Sequence, residues 1–238
     1  MSDSHGVWLR STRAIGAMRL TAPGDVALGT MYFQRVARFN VGLGGIHSNG
    51  TAAETLGSTY AWSPAYAERY TATYAELDAL ERRGYGSGRG NLDLALRAFM
   101  SSYDRTPSAP DIKLVDTVTA LEAVLGDKAE LAFKLAFRVA SLLAATDDER
   151  AALLKQIRGY YDARSKVVHG SRIEAKQRAA LQSVDDLRHH ARQVLRGMVH
   201  FAATRAQGDE EELFKGDIDA ALVHSGHREQ LRRALGLA

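Results

Sequence analysis

Apolar residues recur at intervals of three and four from residue 91 almost to the end of the chain, the spacing that places them on one face of an α-helix. Two of these stripes are formed by Leu114, Val118, Leu121 and Leu125, and by Leu131, Leu135, Val139 and Leu142. Helices with such stripes must pack against one another to remove their apolar faces from water. The sequence therefore predicts a mainly α fold, with a bundle of about four main helices joined by short loops.

The amino-acid composition agrees with this fold class. Of the 238 residues, 45% are hydrophobic and 25% are charged, which is enough apolar material for a buried core. Alanine, leucine and arginine are abundant and favour helices, whereas four prolines and 8% aromatic residues argue against an all-β sandwich. The chain contains no cysteine, which excludes disulfides, thiol catalysis and cysteine-ligated zinc or iron–sulfur sites.

The sequence also bears on where the protein resides. It contains no apolar run of about 18 residues, the length that a membrane-spanning helix requires. Its first residues lack the basic and apolar regions of a secretory signal. We therefore expect a cytoplasmic protein that has no membrane partner.

Turn and glycine signals predict three regions along the chain. Residues 1–90 are interpreted as an N-terminal extension with a small sheet or hairpin and one helix, so that the extension is partly β. Residues 91–206 are interpreted as the helical bundle, and residues 207–238 as a helical tail packed on that bundle. Within the extension, residues 42–45 predict a loop and Pro64 predicts the first turn of a helix.

Local signals also predict where individual helices begin and end. Residues 7–20 fit either a short helix or a strand. Capping boxes at residues 127–130 and 146–149 each predict the start of a helix. Gly170 is expected to end or kink the second of these helices, and residues 173–205 are expected to form one long helix. The acidic residues 209–212 are interpreted as a short link.

Conventional catalytic and metal-binding motifs are absent from the sequence. There is no HExxH helix, no DxDxDG loop and no GxSxG turn. Neighbouring residues point about 100° apart on a helix, so His189 and His190 are not expected to bind one metal ion together. The glycine-rich residues 84–90 lack the lysine of a phosphate-binding loop. We therefore predict neither a bound metal nor a cofactor.

Positive charge is concentrated in residues 155–178. Seven basic residues and two acidic ones give this segment a net charge of +5, whereas the whole chain has a net charge of only +3. A local excess of this size can attract a polyanion. The alternative interpretation is an ordinary solvated helix face.

Residues 160–170 contain an arginine and a histidine five positions apart, Arg164 and His169, followed by Gly170. This Arg-x4-His pattern at the end of an apolar helix resembles the motif of the HEPN domains (higher eukaryotes and prokaryotes nucleotide-binding). Three ordered segments extend the resemblance to the Apea-like HEPN family. Residues 114–125 resemble its D-x-x-x-ALEALL helix, residues 135–143 resemble a second helix, and residues 161–170 resemble its Y-x-x-RS-x-x-VHG element. The resemblance as a whole covers about residues 91–205.

The resemblance implies a HEPN-type helical bundle with Arg164 and His169 as catalytic residues. It implies a metal-independent endoribonuclease that binds RNA as substrate, in a bacterial anti-phage defence or toxin context. It also implies a homodimer with a composite site, and a possible antitoxin or defence-complex partner. The expected supporting or substrate-binding residues are Tyr161, Asp162, Ser165, Lys166, Glu122 and Arg138.

The chemistry of the Arg–His pair can be stated from the residues alone. Histidine can donate or accept a proton near neutral pH, and arginine is a permanently charged clamp for phosphate oxygens. Residues five apart on a straight helix differ by about 140° in direction, so Arg164 and His169 do not share a face. A bend near Gly170, or a two-fold axis between protomers, could bring the two groups to one site.

Non-catalytic interpretations of the same residues remain open. His169 could stabilise the C-terminus of its helix, where a positive charge is favoured, and Arg164 could pair with Asp162 or another acid. The chain would then be a non-catalytic HEPN module that binds RNA or a nucleotide, or that serves in dimerisation. A purely structural role is the third alternative.

Two charged residues stand inside apolar helical stretches, namely Glu122 and Arg138. A buried charge is costly unless it is paired. The structural interpretation is an ion pair between Glu122 and Arg138 on adjacent helices. The functional interpretation is that both residues line one cleft and orient Arg164 or His169.

Overall fold

A computed structural model of the chain describes residues 4–24, 26, 31–37, 40–47, 63–85, 90–105, 108–126, 130–205 and 210–237. These residues are mainly helical, which confirms the predicted mainly α fold class. In chain order the elements are α1 Ser4–Thr21, β1 Met31–Ala37, β2 Asn40–His47, α2 Pro64–Arg82, α3 Asn91–Tyr103, α4 Pro110–Leu125, α5 Leu131–Leu143, α6 Asp147–Val168, α7 Ala175–Gln182, α8 Val184–Thr204, α9 Glu210–Val223 and α10 Ser225–Ala234.

The two N-terminal helices pack against each other and against α8. Of the two alternatives for residues 7–20, the structure shows the helix. The predicted start of α2 at Pro64 is confirmed, and the Ser63 side chain accepts a hydrogen bond from the Tyr66 backbone N–H at 3.3 Å. Arg13 of α1 donates to the carboxylates of Asp78 and Glu81 on α2, which joins the pair through charge as well as packing.

Strands β1 and β2 form an antiparallel pair, with a register shift between Tyr32 and Gln34. The glycine-rich residues 42–45 lie within β2, so the loop predicted for them is wrong. Pairing with β1 supplies the backbone hydrogen bonds that offset the low strand propensity of glycine. The partly β extension as a unit stays a prediction, because the segments that flank this pair fall outside the described residues.

One hydrophobic core joins helices from both ends of the described chain. Helix α3 packs mainly on α4, and α5 packs mainly on α6. Helix α8 contacts each of α1 to α5. The predicted stripe of α4 is confirmed, since all four of its members are buried. The largest fully buried side chains are Tyr160, Phe99, Phe201, Leu20, Leu80, Leu114, Leu121, Leu125, Leu135, Leu142 and Ile157.

Helix α6 begins at the predicted capping box. The Thr146 hydroxyl accepts from the Glu149 N–H at 3.2 Å, and the Glu149 carboxylate accepts from the Thr146 N–H at 3.0 Å. These backbone hydrogen bonds hold the pKa of Glu149 below its ordinary value. Of the other predicted box, residues 127–129 lie outside the described chain, and α5 begins at Leu131.

Two predictions for the C-terminal part are wrong. The long helix expected over residues 173–205 is divided at Ser183 into α7 and α8. At this joint Ser183 has a φ of −104° and a ψ of 26°, outside regular helix geometry. The hydroxyl of the buried Tyr160 donates to the Ser183 carbonyl oxygen at 3.0 Å and lies 3.1 Å from the Ser183 hydroxyl oxygen, which ties the joint to α6. The acidic link is also helical from Glu210 onward, in keeping with the helix propensity of glutamate. The described residues of 91–205 hold six helices, α3 to α8, where the sequence predicted about four main helices for the bundle.

None of the helices within the described ranges combines the length and the apolar character that crossing a membrane would require.

Candidate functional site

The Arg-x4-His motif occupies the C-terminal end of α6, which runs without interruption to Val168. The backbone N–H of His169 still donates to the Ser165 carbonyl at 3.1 Å, so the helix is intact across the motif. Gly170 follows with a φ of 61°, a left-handed conformation that glycine adopts without strain. The bend therefore comes after His169, and Arg164 and His169 leave α6 about 140° apart.

Arg164 faces α4 and forms an ion pair with Glu122. Its Nη2 donates to Glu122 Oε2 at 3.2 Å, and the two side chains are 25% and 14% exposed. The Arg164 guanidinium also lies 6.0 Å from the centre of the Tyr161 ring. Among the described residues, neither the buried Nε of Arg164 nor the buried Oε1 of Glu122 has a hydrogen-bond partner. The pair thus holds the guanidinium in place while leaving part of its donor capacity unused.

Burial raises the pKa of Glu122, and the positive charge of Arg164 partly opposes this effect. A half-buried carboxyl whose pKa is raised, beside an arginine, is typical of functional sites and also occurs in structural ion pairs. Chemically, the arrangement can fix the direction of the arginine. It also places one negative charge next to the positive charge that a phosphate would bind.

His169 is exposed at the end of α6. No side chain in the described ranges forms a hydrogen bond or an ion pair with its imidazole. The preceding Val168 is 51% exposed, so the histidine stands at an open surface rather than in a sealed pocket. A free imidazole at an open surface is available for proton transfer to or from a bound ligand.

The remaining predicted residues of α6 have different surroundings. Asp162 accepts a hydrogen bond from Gln177 Nε2 at 2.7 Å and lies 3.9 Å from Lys176 Nζ, so its contacts are with α7. The acid that pairs with Arg164 is therefore not Asp162. Ser165 and Lys166 are half-buried beside the motif, and Tyr161 packs against the core.

Arg138 does not belong to this site. Its Nη2 and Nε donate to Asp219 Oδ1 at 2.7 and 3.1 Å, and its Nη1 donates to the Leu125 carbonyl at 2.7 Å. The predicted ion pair between Glu122 and Arg138 is therefore wrong. Arg138 instead satisfies a terminal carbonyl of α4 and ties α9 to the bundle, which is a structural role.

Some residues that shape the site were missed by sequence reasoning. Gln177 is buried and joins Asp162 to α7, and Glu174 and Gln177 form a capping box at the start of that helix. The E-x-x-Q spacing was a usable signal for this box. No comparable signal marked Asp219, a single acidic residue 81 positions from the arginine that it binds.

A second group of buried arginines surrounds Tyr103 and was not anticipated. Arg19 of α1 donates to the Met100 carbonyl at 3.1 Å and to Asp104 at 2.8 Å. The guanidinium of Arg188 lies 4.0 Å from the centre of the Tyr103 ring, and Arg192 donates to the Arg19 carbonyl at 2.8 Å. These contacts join α1, α3 and α8, so the group is part of the scaffold.

Within the described residues, no group of three histidine, cysteine, aspartate or glutamate side chains is arranged to hold a metal ion. No family model, no curated protein and no solved structure matches the chain.

Proposed function

We propose that the chain is a metal-independent endoribonuclease of the HEPN type, with His169 as the acid–base group and Arg164 as the group that stabilises charge on the phosphate. The observation that carries this proposal is the exposed, unpartnered imidazole of His169 at the end of an unbroken helix, five residues after an arginine that Glu122 holds in place. The three sequence segments that resemble the Apea-like HEPN family support the same assignment.

In the proposed reaction, the 2′-oxygen of a ribose attacks the adjacent phosphorus and the bond from phosphorus to the 5′-oxygen breaks. One imidazole accepts the proton of the 2′-hydroxyl, and another group donates a proton to the leaving 5′-oxygen. The products are a 2′,3′-cyclic phosphate and a 5′-hydroxyl. Arg164 would bind the phosphate oxygens while negative charge accumulates on them.

A homodimer would supply the groups that one protomer lacks. Arg164 and His169 leave α6 about 140° apart, and each protomer has one of each. A two-fold axis close to the end of α6 would place two histidines and two arginines around one phosphate. The exposed Val168, next to His169, is a candidate contact at this axis.

The central experiment is incubation of total RNA with the wild-type protein and with His169→Ala in the presence of EDTA. Cleavage by the wild type, with cyclic or 3′-phosphate ends, and no cleavage by the variant would support the proposal. His227→Ala is the matched control, since His227 is exposed on α10 and should be dispensable. Ends that carry a 3′-hydroxyl, or loss of activity on chelation, would contradict the mechanism.

The dimer is tested by dilution. Specific activity should fall in step with dimer dissociation, which sedimentation or mass photometry can follow over the same concentrations. A monomer that is fully active at the assay concentration would contradict the composite site.

The alternative function is a non-catalytic HEPN module that binds RNA or a nucleotide, or that serves as a dimerisation subunit. The observation that favours it is the ion pair itself, because Glu122 already neutralises much of the Arg164 charge within the protomer. Such a module would bind RNA without cleaving it, and His169→Ala would leave that binding unchanged.

The biological setting, bacterial anti-phage defence or toxin action with a possible antitoxin partner, is part of the same proposal. Induced expression of the wild-type chain in bacteria should slow growth and degrade RNA, whereas His169→Ala should be harmless at equal protein level. Equal toxicity of the two chains would separate any toxic effect from the proposed site.

A further inference from the structure

The exposed face of α6 carries a line of positive charge that ends at His169. Lys155, Arg158 and Lys166, here called the basic stripe, lie together with His169 within about 80° of arc on an ideal helix. From Lys155 to His169 the stripe extends about 21 Å along the helix axis. Arg164 lies on the opposite side of α6, toward Glu122, so the stripe and the ion pair are separate features.

The stripe residues form no ion pair with the described part of the protomer, and the one carboxylate on the same arc of α6, Asp162 between Arg158 and Lys166, contacts α7 instead. Lys155 and Arg158 are exposed and Lys166 is half-buried, and no side chain of the described chain pairs with any of them. Arginines elsewhere in the fold do contact carboxylates, as in the pairs of Arg13 with Asp78, Arg105 with Asp116 and Arg138 with Asp219. These arginines are paired within the described fold, whereas the three residues of the stripe are not.

The acids closest to the stripe in sequence are already engaged. Asp162 accepts from Gln177 and lies near Lys176, and the Glu174 carboxylate caps the start of α7. Arg172, just beyond His169, is exposed and extends the positive surface past the motif. The face thus keeps its surplus charge in the folded protein.

The shape of the stripe favours a linear polyanion over a membrane. Among the described residues 147–183, Val168 is the single large apolar side chain that is exposed, and it lies at one end of the stripe. A helix that lies on a lipid surface needs a broad apolar face, which α6 directs into the core instead. The cations of this face, with Lys176 beside Asp162, still outnumber its one carboxylate, and their linear arrangement matches the regular charges of a nucleic-acid backbone.

We propose that a single strand of RNA lies with its phosphates along the basic stripe, which leads the strand to His169. The assignment of RNA as the ligand rests on the proposed function. The inference adds that binding is supplied by the outer face of α6, independently of Arg164 on its inner face.

The test compares RNA binding by two triple variants, each made in the His169→Ala chain so that the RNA stays intact. The first replaces the stripe by Lys155→Gln, Arg158→Gln and Lys166→Gln. The second, the control, removes the same number of exposed charges from other helices by Arg10→Gln, Arg69→Gln and Arg233→Gln. Glutamine keeps good helix propensity in both sets, and thermal unfolding checks that both variants fold.

Affinity for a single-stranded RNA oligonucleotide is measured over a series of salt concentrations. Three lost phosphate contacts should reduce the slope of log K against log salt by about 2, since each contact contributes about 0.7 for a single strand. The control triple variant should keep the slope of the His169→Ala chain. An unchanged slope in the stripe variant, or an equal change in the control, would overturn the proposal.

A second arm uses vesicles that contain phosphatidylserine in place of RNA. Stronger binding of the stripe to these vesicles than to RNA would also overturn the proposal. Failure of this proposal can be distinguished from failure of the proposed ribonuclease function. Loss of RNA binding in the stripe variant, combined with a wild-type protein that does not cleave, would support the stripe and refute the ribonuclease.

Discussion

Replacement of Arg164 by methionine should destabilise the fold, because it leaves the Glu122 carboxylate without its partner. Breaking a fully buried pair costs roughly 3–5 kcal/mol. Here the two side chains keep 25% and 14% exposure, so part of the charge is still solvated and we expect about 2–3 kcal/mol. Glu122→Met should cost less, about 1–2 kcal/mol, since the long arginine side chain can turn its charged end toward water.

The double variant should be damaged less than the sum of the two single variants. With both charges gone, the site is apolar and neither group is left unpaired. The coupling energy should be about 1–3 kcal/mol, in the range for residues in direct contact. Urea unfolding measures each free energy, at one fixed protein concentration because the proposed dimer would make stability depend on concentration.

The effect of pH gives the same prediction a second readout. Burial raises the folded-state pKa of Glu122 above its unfolded value. The contribution of such a group to stability is complete below the unfolded pKa and is lost as pH rises through the folded pKa. Without Arg164 this pKa should rise further, so the cost of Arg164→Met should be larger at pH 8 than at pH 5.

A second cycle, between Glu122 and Arg138, is the matched control. The structure places these side chains in different pairs, so their effects should add within about 0.5 kcal/mol. A larger coupling for Glu122 with Arg138 than for Glu122 with Arg164 would refute the pairing. Because Arg164→Met is expected to lower the stability of the protein, the activity of this variant must be measured under conditions where it is folded.

Three further predictions concern other parts of the scaffold. Burial lowers the pKa of His190. The contribution of the neutral imidazole to stability is therefore complete above the unfolded pKa near 6.5 and is lost as pH falls below that value. His190→Gln should flatten the decrease in melting temperature between pH 7 and pH 5, and an unchanged pH profile would contradict this prediction. Asp219→Asn should lower the free energy of unfolding in urea by only about 1 kcal/mol, because Asp219 is 58% exposed. Arg138→Met should lower it more, because this change also leaves a terminal carbonyl of α4 without a partner. Equal costs would argue against the contact of Arg138 with that carbonyl. Tyr160→Phe removes the hydroxyl that binds Ser183 and should cost about 1 kcal/mol by the same assay, while a neutral effect would show that Tyr160 does not hold the joint between α7 and α8.

The sequence by itself determined the features that depend on local interactions. The helical class, the apolar face of α4, the start of α2 at Pro64 and the start of α6 at Thr146 follow from spacing and caps within a few residues. The end of α6 at Val168, two residues before Gly170, is of the same kind. The place of His169 at a helix end was therefore readable from the chain, because a glycine with positive φ terminates a helix through its own backbone.

Only the tertiary structure decided which charged groups meet. Glu122 binds Arg164, 42 residues away, rather than Arg138, and Arg138 binds Asp219, 81 residues away. Nothing local distinguishes these pairings, because they depend on how α4, α5, α6 and α9 rotate and cross when their apolar faces pack. The joint at Ser183 also involves a long-range contact, since its carbonyl accepts a hydrogen bond from the hydroxyl of Tyr160, 23 residues earlier.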